Sequence, residues 1–241
     1  MKIVADTHTH TIASGHAFST LTENCITAKK LGLFFLATTD HTSRMPGAPD
    51  DLYFECQYMY PDEYDDVYLI RGCEVNIVNV DGELDMNKII LSELEWVIAS
   101  MHGLIFIPST KECHTQSWLN IAENPHVDVI GHCSDPAFAF EHLPVIRAFA
   151  EHGKIVEINS NSIVSRPGSA EILCEIVLLC KKFDVPVVVG SDAHHHSMIG
   201  NFAPAMKLLG EIDFPEELVL NADCVRFAKT ITKKCARQFN V

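Results

Sequence analysis

Seven short apolar runs, spaced along the chain, constrain the fold more than any other feature of the sequence. The runs, many of them rich in β-branched residues, lie at positions 3–5, 33–38, 67–70, 96–100, 127–130, 155–158 and 186–189. Most are separated by segments with helical periodicity, such as 21–31, 118–122, 142–150 and 169–183. Because strands that alternate with helices form a mostly parallel sheet, the pattern predicts an α/β fold.

Two segments depart from this alternation. Residues 78–84 have the pattern of a hairpin that turns at Asp81-Gly82, and residues 40–64 form a long insertion with proline, aromatic and acidic residues. An insertion of this length is typical of a lid or rim loop. The sequence contains no internal repeat or linker, so residues 1–241 are predicted to form a single domain.

Composition narrows the classes of function. The formal net charge is −14, which argues against a surface that binds polyanions, since nucleic-acid-binding proteins concentrate Lys and Arg. Nine scattered cysteines with no C-x-x-C pair indicate reduced thiols. The sequence has no run of about 18 apolar residues and no signal-peptide pattern, so a cytoplasmic protein that does not enter the membrane is expected.

The first apolar run ends in Asp6-Thr7-His8-Thr9-His10. In an extended segment residues i and i+2 share a face, so His8 and His10 point the same way and can chelate one metal ion. Zinc binds neutral imidazole nitrogen, and His16 follows within reach. Taken alone, two histidines on a solvent-facing edge strand are an equally good interpretation of this motif.

The other runs favour the metal interpretation. Most of them are followed by residues that can bind a metal, namely His41, Glu74, His102, His132, Asp192 and His194. In parallel α/β barrels the carboxyl ends of the strands form the functional face. A random scatter of acidic and histidine residues would not follow the apolar runs in this way, so a metal site at the strand ends is predicted.

This succession of motifs resembles the PHP family, the polymerase and histidinol phosphatase superfamily of metal-dependent phosphoesterases. The matching pattern is H-x-H, a third His six residues later, T-D-H, an isolated Glu, two separate His and D-x-H, from about residue 3 to 228. Segments 16–21, 79–83 and 190–192 look like the small single-domain phosphatases of the YcdX type. The resemblance implies a distorted (β/α)7 barrel with three divalent metal ions, zinc first and manganese or iron as alternatives.

The resemblance also implies a set of ligands for each ion. One ion would be held by His8, His10, Glu74 and Asp192. A second would be held by His16, His41 and His194, and a third by Glu74, His102 and His132. Glu74 would bridge two ions, which a carboxylate with two oxygens can do and a neutral imidazole cannot.

Some positions depart from the family pattern or remain ambiguous. The proline that usually follows the fifth-strand histidine is absent, and Cys133 stands next to His132, where a thiol could alter metal preference. Residues 103–108 carry few polar groups, which leaves open what that side of the cleft recognises. Within 194–196 only His194 shares a strand face with Asp192, so His195 and His196 are expected at the rim.

The implied chemistry needs no protein nucleophile. Clustered cations activate water to a hydroxide, bind phosphoryl oxygens and stabilise in-line displacement. Glu74 and Asp192 would hold the catalytic ions, and Arg166 is a candidate phosphate clamp because its fork matches two phosphoryl oxygens. Asp6 and Asp40 are interpreted either as acceptors for imidazole N–H groups or as strand-end caps.

Three classes of function remain open. Hydrolysis of small phosphomonoesters is favoured over a phosphodiesterase or 3'-5' exonuclease acting on nucleic acid, because the chain is acidic. A non-catalytic metal-binding module would be expected to have lost several ligands, whereas all nine are present. The expected partner is a small phosphorylated substrate, and the sequence leaves a homo-oligomer open.

Overall fold

The computed structural model describes residues 1–235 and 237–241. In this part of the chain the strands are β1 (Ala5–Asp6), β2 (Phe35–Thr38), β3 (Glu63–Tyr64), β4 (Val67–Asn76), β5 (Trp96–Ser100), β6 (Val129–Ile130), β7 (Ile155–Asn159) and β8 (Val187–Gly190). The helices are α1 (Leu21–Lys30), α2 (Asp51–Glu55), α3 (Lys88–Glu93), α4 (Lys111–Glu123), α5 (His142–Glu151), α6 (Ser160–Ser165), α7 (Ser169–Lys182), α8 (Ala203–Glu211) and α9 (Cys224–Lys234). Each predicted apolar run contributes to a strand.

The sheet is parallel except for β3. Its order is β1-β2-β4-β5-β6-β7-β8, and the short β3 pairs antiparallel with β4. Beyond the strand ends Thr9 bridges Ala193 in parallel, and the amide of His10 donates to the carbonyl of Ala193 at 2.9 Å. Because this contact joins the first strand to the last, the sheet curls into a barrel, which confirms the predicted distorted (β/α)7 fold.

Strand β4 is longer than the sequence suggested. The apolar run ends at residue 70, but pairing with β5 continues from Gly72 to Asn76, so Glu74 lies inside a strand and not after one. Gly72 permits this pairing, since a Cβ atom there would lie 2.4 Å from the carbonyl oxygen of Trp96. The predicted hairpin over 78–84 is present as an antiparallel bridge between Ile77 and Leu84, but its turn is centred one residue earlier, on Val80-Asp81, because the amide of Gly82 donates to the carbonyl of Asn79.

Local sequence signals set several helix ends. The side chain of Thr20 accepts from the amide of Glu23 while Glu23 accepts from the amide of Thr20, which forms a capping box at the start of α1. Thr110 and Asp223 cap α4 and α9 in the simpler way, through one side-chain acceptor. Among the helices within 1–235 and 237–241, none is long and apolar enough to cross a membrane.

The two faces of the sheet bury different cores. Along β5, Val97 and Ala99 belong to the larger core beneath the surrounding helices, whereas Trp96 and Ile98 belong to a smaller core on the opposite, inner face. Phe227 of α9 packs edge-on against Trp96 at a centroid distance of 5.6 Å. The amino-terminal end of the barrel is therefore filled by apolar side chains, and polar groups are placed at the carboxyl end.

Candidate metal centre

Glu74 is the group on which the ligand side chains of several strands converge. Its Oε1 lies 2.8 Å from Nε2 of His132 and 3.4 Å from Nε2 of His102. Its Oε2 lies 2.8 Å from Nδ1 of His41 and 3.3 Å from Nε2 of His8. The two carboxylate oxygens thus face two different sets of imidazoles, which is the arrangement expected of a bridging carboxylate.

Asp192 is a second point of convergence. Its Oδ1 lies 3.3 Å from Nε2 of His10, 3.5 Å from Nδ1 of His194 and 3.7 Å from Nε2 of His8. The Nε2 atoms of His194 and His16 are 3.2 Å apart at the more exposed side. The structure therefore brings all nine predicted ligands to one end of the barrel.

The donor atoms fit a metal ion. Glu74 Oε2 and His41 Nδ1 are both buried and 2.8 Å apart, yet neither has a hydrogen-bond partner. Two donor atoms held this close without a hydrogen bond can share a cation that lies beside both. In the described part of the chain, donor atoms within 4.8 Å of one another form three compact groups: His8, His10 and Glu74; His41, Glu74 and His102; and His10, His41 and His194.

These groups do not coincide with the ligand sets that the resemblance implies. His41 falls both with Glu74 and His102 and with His10 and His194, whereas the resemblance places it with His16 and His194 alone. The ring of His41 is also 4.9 Å from that of His16, between centroids, so it lies between the two positions. The positions of the nine side chains therefore do not by themselves divide them among individual ions.

Electrostatics keep several of these donors free of protons. Burial, together with the neighbouring His41, holds the pKa of His10 well below its usual value, and the same causes lower the pKa of His16. Burial alone would raise the pKa values of Glu74 and Asp192. Histidines close to each carboxylate outweigh this effect and hold both pKa values well below the usual range. Neutral imidazoles and ionised carboxylates are the forms that bind metals.

His8 experiences the opposite balance. Burial alone would lower its pKa, but the carboxylates of Glu157, Glu74 and Asp192 raise it well above the usual value. Three buried carboxylates therefore favour a positive charge at this position, which a metal ion satisfies as well as a proton does.

A cleft of about 490 Å³ opens above this cluster. Its wall includes ligands from several strands, the residues Met45 and Pro46 of the 40–64 insertion, and Leu104 from the loop after β5. The insertion thus forms part of the rim, as the sequence indicated. Arg166 and Asn161 lie on another part of the wall.

Comparison with known proteins identifies the family. A family model described as PHP-associated matches residues 177–218. A protein named "Probable phosphatase" from Clostridium botulinum is 40% identical over 234 residues, covering 97% of this chain and 96% of that protein. Another of this name, from Acetivibrio thermocellus, is 42% identical and covers 98% of each chain. The chain belongs to the PHP superfamily.

A solved structure shares the fold. Histidinol phosphate phosphatase from Lactococcus lactis, crystallised with zinc, L-histidinol and phosphate, matches with a TM-score of 0.62. The match covers 88% of this chain and 94% of that chain at 19% identity, which shows the PHP barrel fold. With the curated relatives and the His/Glu cluster, it identifies the chain as a metal-dependent PHP phosphatase.

In this PHP phosphatase Glu157 of β7 contacts two of the predicted ligands. Its Oε1 accepts from Nδ1 of His8 at 2.6 Å, and its Oε2 accepts from the backbone amide of His132 at 2.8 Å. The first contact leaves Nε2 of His8 facing the cluster. Gly190 makes room for this pair, since a Cβ atom there would lie 2.6 Å from Glu157 Oε1 and 2.9 Å from His8 Cβ.

Sequence reasoning missed Glu157, although a signal was present. An acidic residue within the otherwise apolar run 155–158 is unusual, because a buried charge needs a partner. Sequence reasoning also missed Asn76, whose Oδ1 accepts from Nδ1 of His102 at 2.8 Å.

Asp6 and Asp40 do not contact imidazoles directly. Asp6 accepts from the backbone amides of Ser191 and Gly200, at 3.0 and 2.9 Å, and burial raises its pKa to about 6. Asp6 therefore joins strand ends, which is the second of the two interpretations.

Asp40 accepts from the Ser14 hydroxyl at 2.6 Å, and Ser14 in turn lies 3.0 Å from Nδ1 of His10. Asp40 therefore acts on a ligand through one intervening hydroxyl.

The residues flagged as departures from the family have specific environments. Cys133 packs into the apolar core, and burial raises the pKa of its thiol to about 12, so the expectation that it affects the metals is not supported.

His195 hydrogen-bonds Ser197, and the ring of His196 lies 3.3 Å from the Thr27 hydroxyl. Both point away from the cluster, as expected for rim residues.

Two of the predicted ligands have a strained backbone. His132 has φ of +24° and Asp192 has φ of +53°, in the region that side chains other than glycine rarely adopt. Such strain is concentrated at functional sites, where the surrounding structure enforces it. The imidazole of His132 reaches Glu74 although the following residue is Cys133 and not proline.

Proposed function

We propose that this enzyme hydrolyses small phosphomonoesters at a centre of three divalent ions, with zinc as the first choice and manganese or iron as alternatives. The observation that supports it most is the convergence of imidazoles on both oxygens of Glu74. Donor sets rich in histidine suit zinc. The residues 1–241 would then act as one phosphoesterase domain.

The proposed ligands follow the family resemblance. His8, His10, Glu74 and Asp192 would hold one ion, the second would use His16, His41 and His194, and the third Glu74, His102 and His132. Ions held there would activate water for attack and bind the phosphoryl oxygens. Glu157 and Asn76 keep Nε2 of His8 and of His102 directed into the centre.

Arg166 is proposed as the phosphate clamp. Its guanidinium Nη1 donates to the hydroxyl of Ser162 at 2.8 Å, and Nε lies 3.5 Å from Asp135 Oδ2. These contacts hold the side chain in the wall of the cleft while leaving further N–H groups for phosphoryl oxygens.

Phosphodiesterase or exonuclease activity is the second candidate, and charge disfavours it. Residues 62–66, also acidic, precede β4 at the opposite, amino-terminal end of the barrel, whereas Asp50 and Asp51 lie in the insertion whose Met45 and Pro46 form the rim of the cleft. A polynucleotide would bring its flanking phosphates close to these carboxylates, whereas a small ester would experience only the local positive potential of the ions.

Elemental analysis of metal-replete protein should give about three divalent ions per chain. Specificity constants for p-nitrophenyl phosphate, bis(p-nitrophenyl) phosphate and a short single-stranded oligonucleotide, measured side by side, should favour the monoester clearly. One ion or none would overturn the trinuclear assignment. A preference for the oligonucleotide would replace phosphomonoesterase by nuclease activity.

A further inference from the structure

The cleft has an apolar side above the metal ligands. Leu104 follows the ligand His102 and lines the cleft, yet 77% of its surface is exposed. Met45 and Pro46 of the insertion line the same cleft. A large apolar side chain exposed at the mouth of an active site offers contact area to whatever part of the substrate projects outward.

Another part of the cleft wall carries a cation. Arg166 lies there with Asn161, and Asp135 is already paired with Arg166. Among the described residues that line the cleft, the carboxylates are Glu74 and Asp192, and both face ligand histidines. An ammonium group on the substrate would therefore find no available carboxylate and would approach a guanidinium of the same sign.

Resting on the proposed function, we propose that the enzyme selects phosphomonoesters with an apolar leaving group that carries no ammonium, and that Leu104 determines this specificity. The phosphoryl group lies over the metal ligands and near Arg166. The leaving group projects past Leu104 toward Met45 and Pro46, where burial of apolar surface stabilises the bound ester and its transition state. An amino alcohol phosphate, such as L-histidinol phosphate, lacks a counter-ion in this cleft.

The test compares two esters of similar intrinsic reactivity, phenylpropyl phosphate and aminopropyl phosphate. Because both leaving groups are primary alcohols, a difference in kcat/KM reports the contacts of the distal group. We expect the wild-type enzyme to prefer the phenylpropyl ester by at least about 10-fold, which is the usual effect of filling an apolar pocket. L-histidinol phosphate should be as poor a substrate as the aminopropyl ester.

Leu104→Asp should reverse the preference, since it removes the apolar contact and supplies a carboxylate for the ammonium. The matched control is Ile107→Asp, in the same loop, where the native side chain is equally exposed at 78% and lies outside the cleft wall. Its preference should equal that of the wild type.

The outcomes separate this inference from the function on which it rests. Hydrolysis of both esters at equal efficiency, or equal effects of the two aspartate variants, would overturn the role of Leu104 and leave the phosphatase intact. No hydrolysis of any monoester by metal-loaded protein would overturn the proposed function itself.

Discussion

At the scale of single residues, the position of Glu74 near the carboxyl end of β4 explains its geometry. Its backbone is held on both sides, because Glu74 pairs with Ile98 of β5 and forms a parallel bridge with His41 on the other side. Its side chain is 1% exposed, so the charge must be balanced by groups around it. The surrounding histidines and the proposed ions provide this balance.

Glu74→Gln should remove metal from two of the three proposed sites. An amide oxygen binds a cation less well than a carboxylate oxygen and its NH2 group cannot bind one. We expect kcat/KM to fall by more than the roughly 10–100-fold typical of groups outside the ligand set, with about two ions lost on elemental analysis. His195→Ala is the control, and equal losses in both variants would show that the bridging role is wrongly assigned.

Glu157→Gln tests the positioning of His8 separately from ligation. The variant keeps the shape of the side chain but removes the charge that holds Nδ1–H of His8, so metal affinity should fall by about 10–100-fold. Competition with a chelator measures this change. Exposed Glu151→Gln should retain wild-type affinity, and an unchanged affinity in Glu157→Gln would contradict the positioning role.

At the scale of elements, the 40–64 insertion is tied to the metal centre through α2. The Tyr53 hydroxyl donates to Asp40 Oδ2 at 2.7 Å and accepts from the Tyr60 hydroxyl at 2.7 Å. Asp40 also accepts from Ser14, which contacts the ligand His10. The rim of the cleft and the orientation of a ligand therefore depend on one network.

Tyr53→Phe should reduce the free energy of unfolding by about 1.5–3 kcal/mol, because it removes a buried hydrogen bond to a carboxylate. Urea unfolding of the purified protein measures the change. Tyr58→Phe, in the same insertion but 71% exposed, should change the free energy by less than about 0.5 kcal/mol. Similar small values for both variants would mean that the network does not stabilise the insertion.

The sequence predicted the elements that depend on local pattern and missed those that depend on partners. The apolar runs contributed to the barrel strands because burial on both faces requires β-branched and apolar residues. The segment Arg71-Gly72-Cys73-Glu74 lacks this pattern, and only pairing with β5 makes it a strand. Strand β3 of two residues, which exists only through its pairing with β4, gave no signal.

The metal centre was predictable to a similar extent. All nine predicted ligands meet at one end of the barrel because strand ends converge there, which the spacing of the runs indicates. Glu157 and Asn76 were not found, since which strand residue touches which imidazole depends on barrel register. Register is a tertiary property that apolar periodicity alone does not specify.

At the scale of the whole molecule, the barrel separates packing from chemistry along its axis. Apolar side chains such as Trp96 fill the amino-terminal end, where Phe227 of α9 packs against them, and the charged cluster occupies the other end. Lys154 precedes β7 near the packed end, and its ammonium donates to the carbonyls of Asn124 and Val127. Stability and metal chemistry can therefore be examined separately.

Lys154 should make stability rise with pH above neutrality. Burial lowers its pKa from 10.5 to about 8, so between these values the unfolded chain binds more protons than the folded protein. The contribution of this group to the free energy of unfolding therefore increases from about pH 8 to 10.5. Urea unfolding at several pH values gives the free energies of unfolding of the wild type and of Lys154→Met. The value for the wild type should rise relative to that of the variant across this window.

The exposed Lys207→Met variant provides the comparison for that experiment. Its difference from the wild type should stay constant over the same pH range. A constant difference for Lys154→Met as well would show that the buried ammonium keeps an ordinary affinity for its proton.

The bridge between Thr9 and Ala193 joins a residue made early in biosynthesis to one made late. His10 is among the earliest ligands to leave the ribosome, but its neighbours Asp192 and His194 emerge only after most of the chain has been made. A nascent chain that has reached α7 already presents Glu74, His102 and His132, yet it has no barrel in which to fix them. The complete set of predicted ligands can therefore come together only after β8 and the residues that follow it have been synthesised.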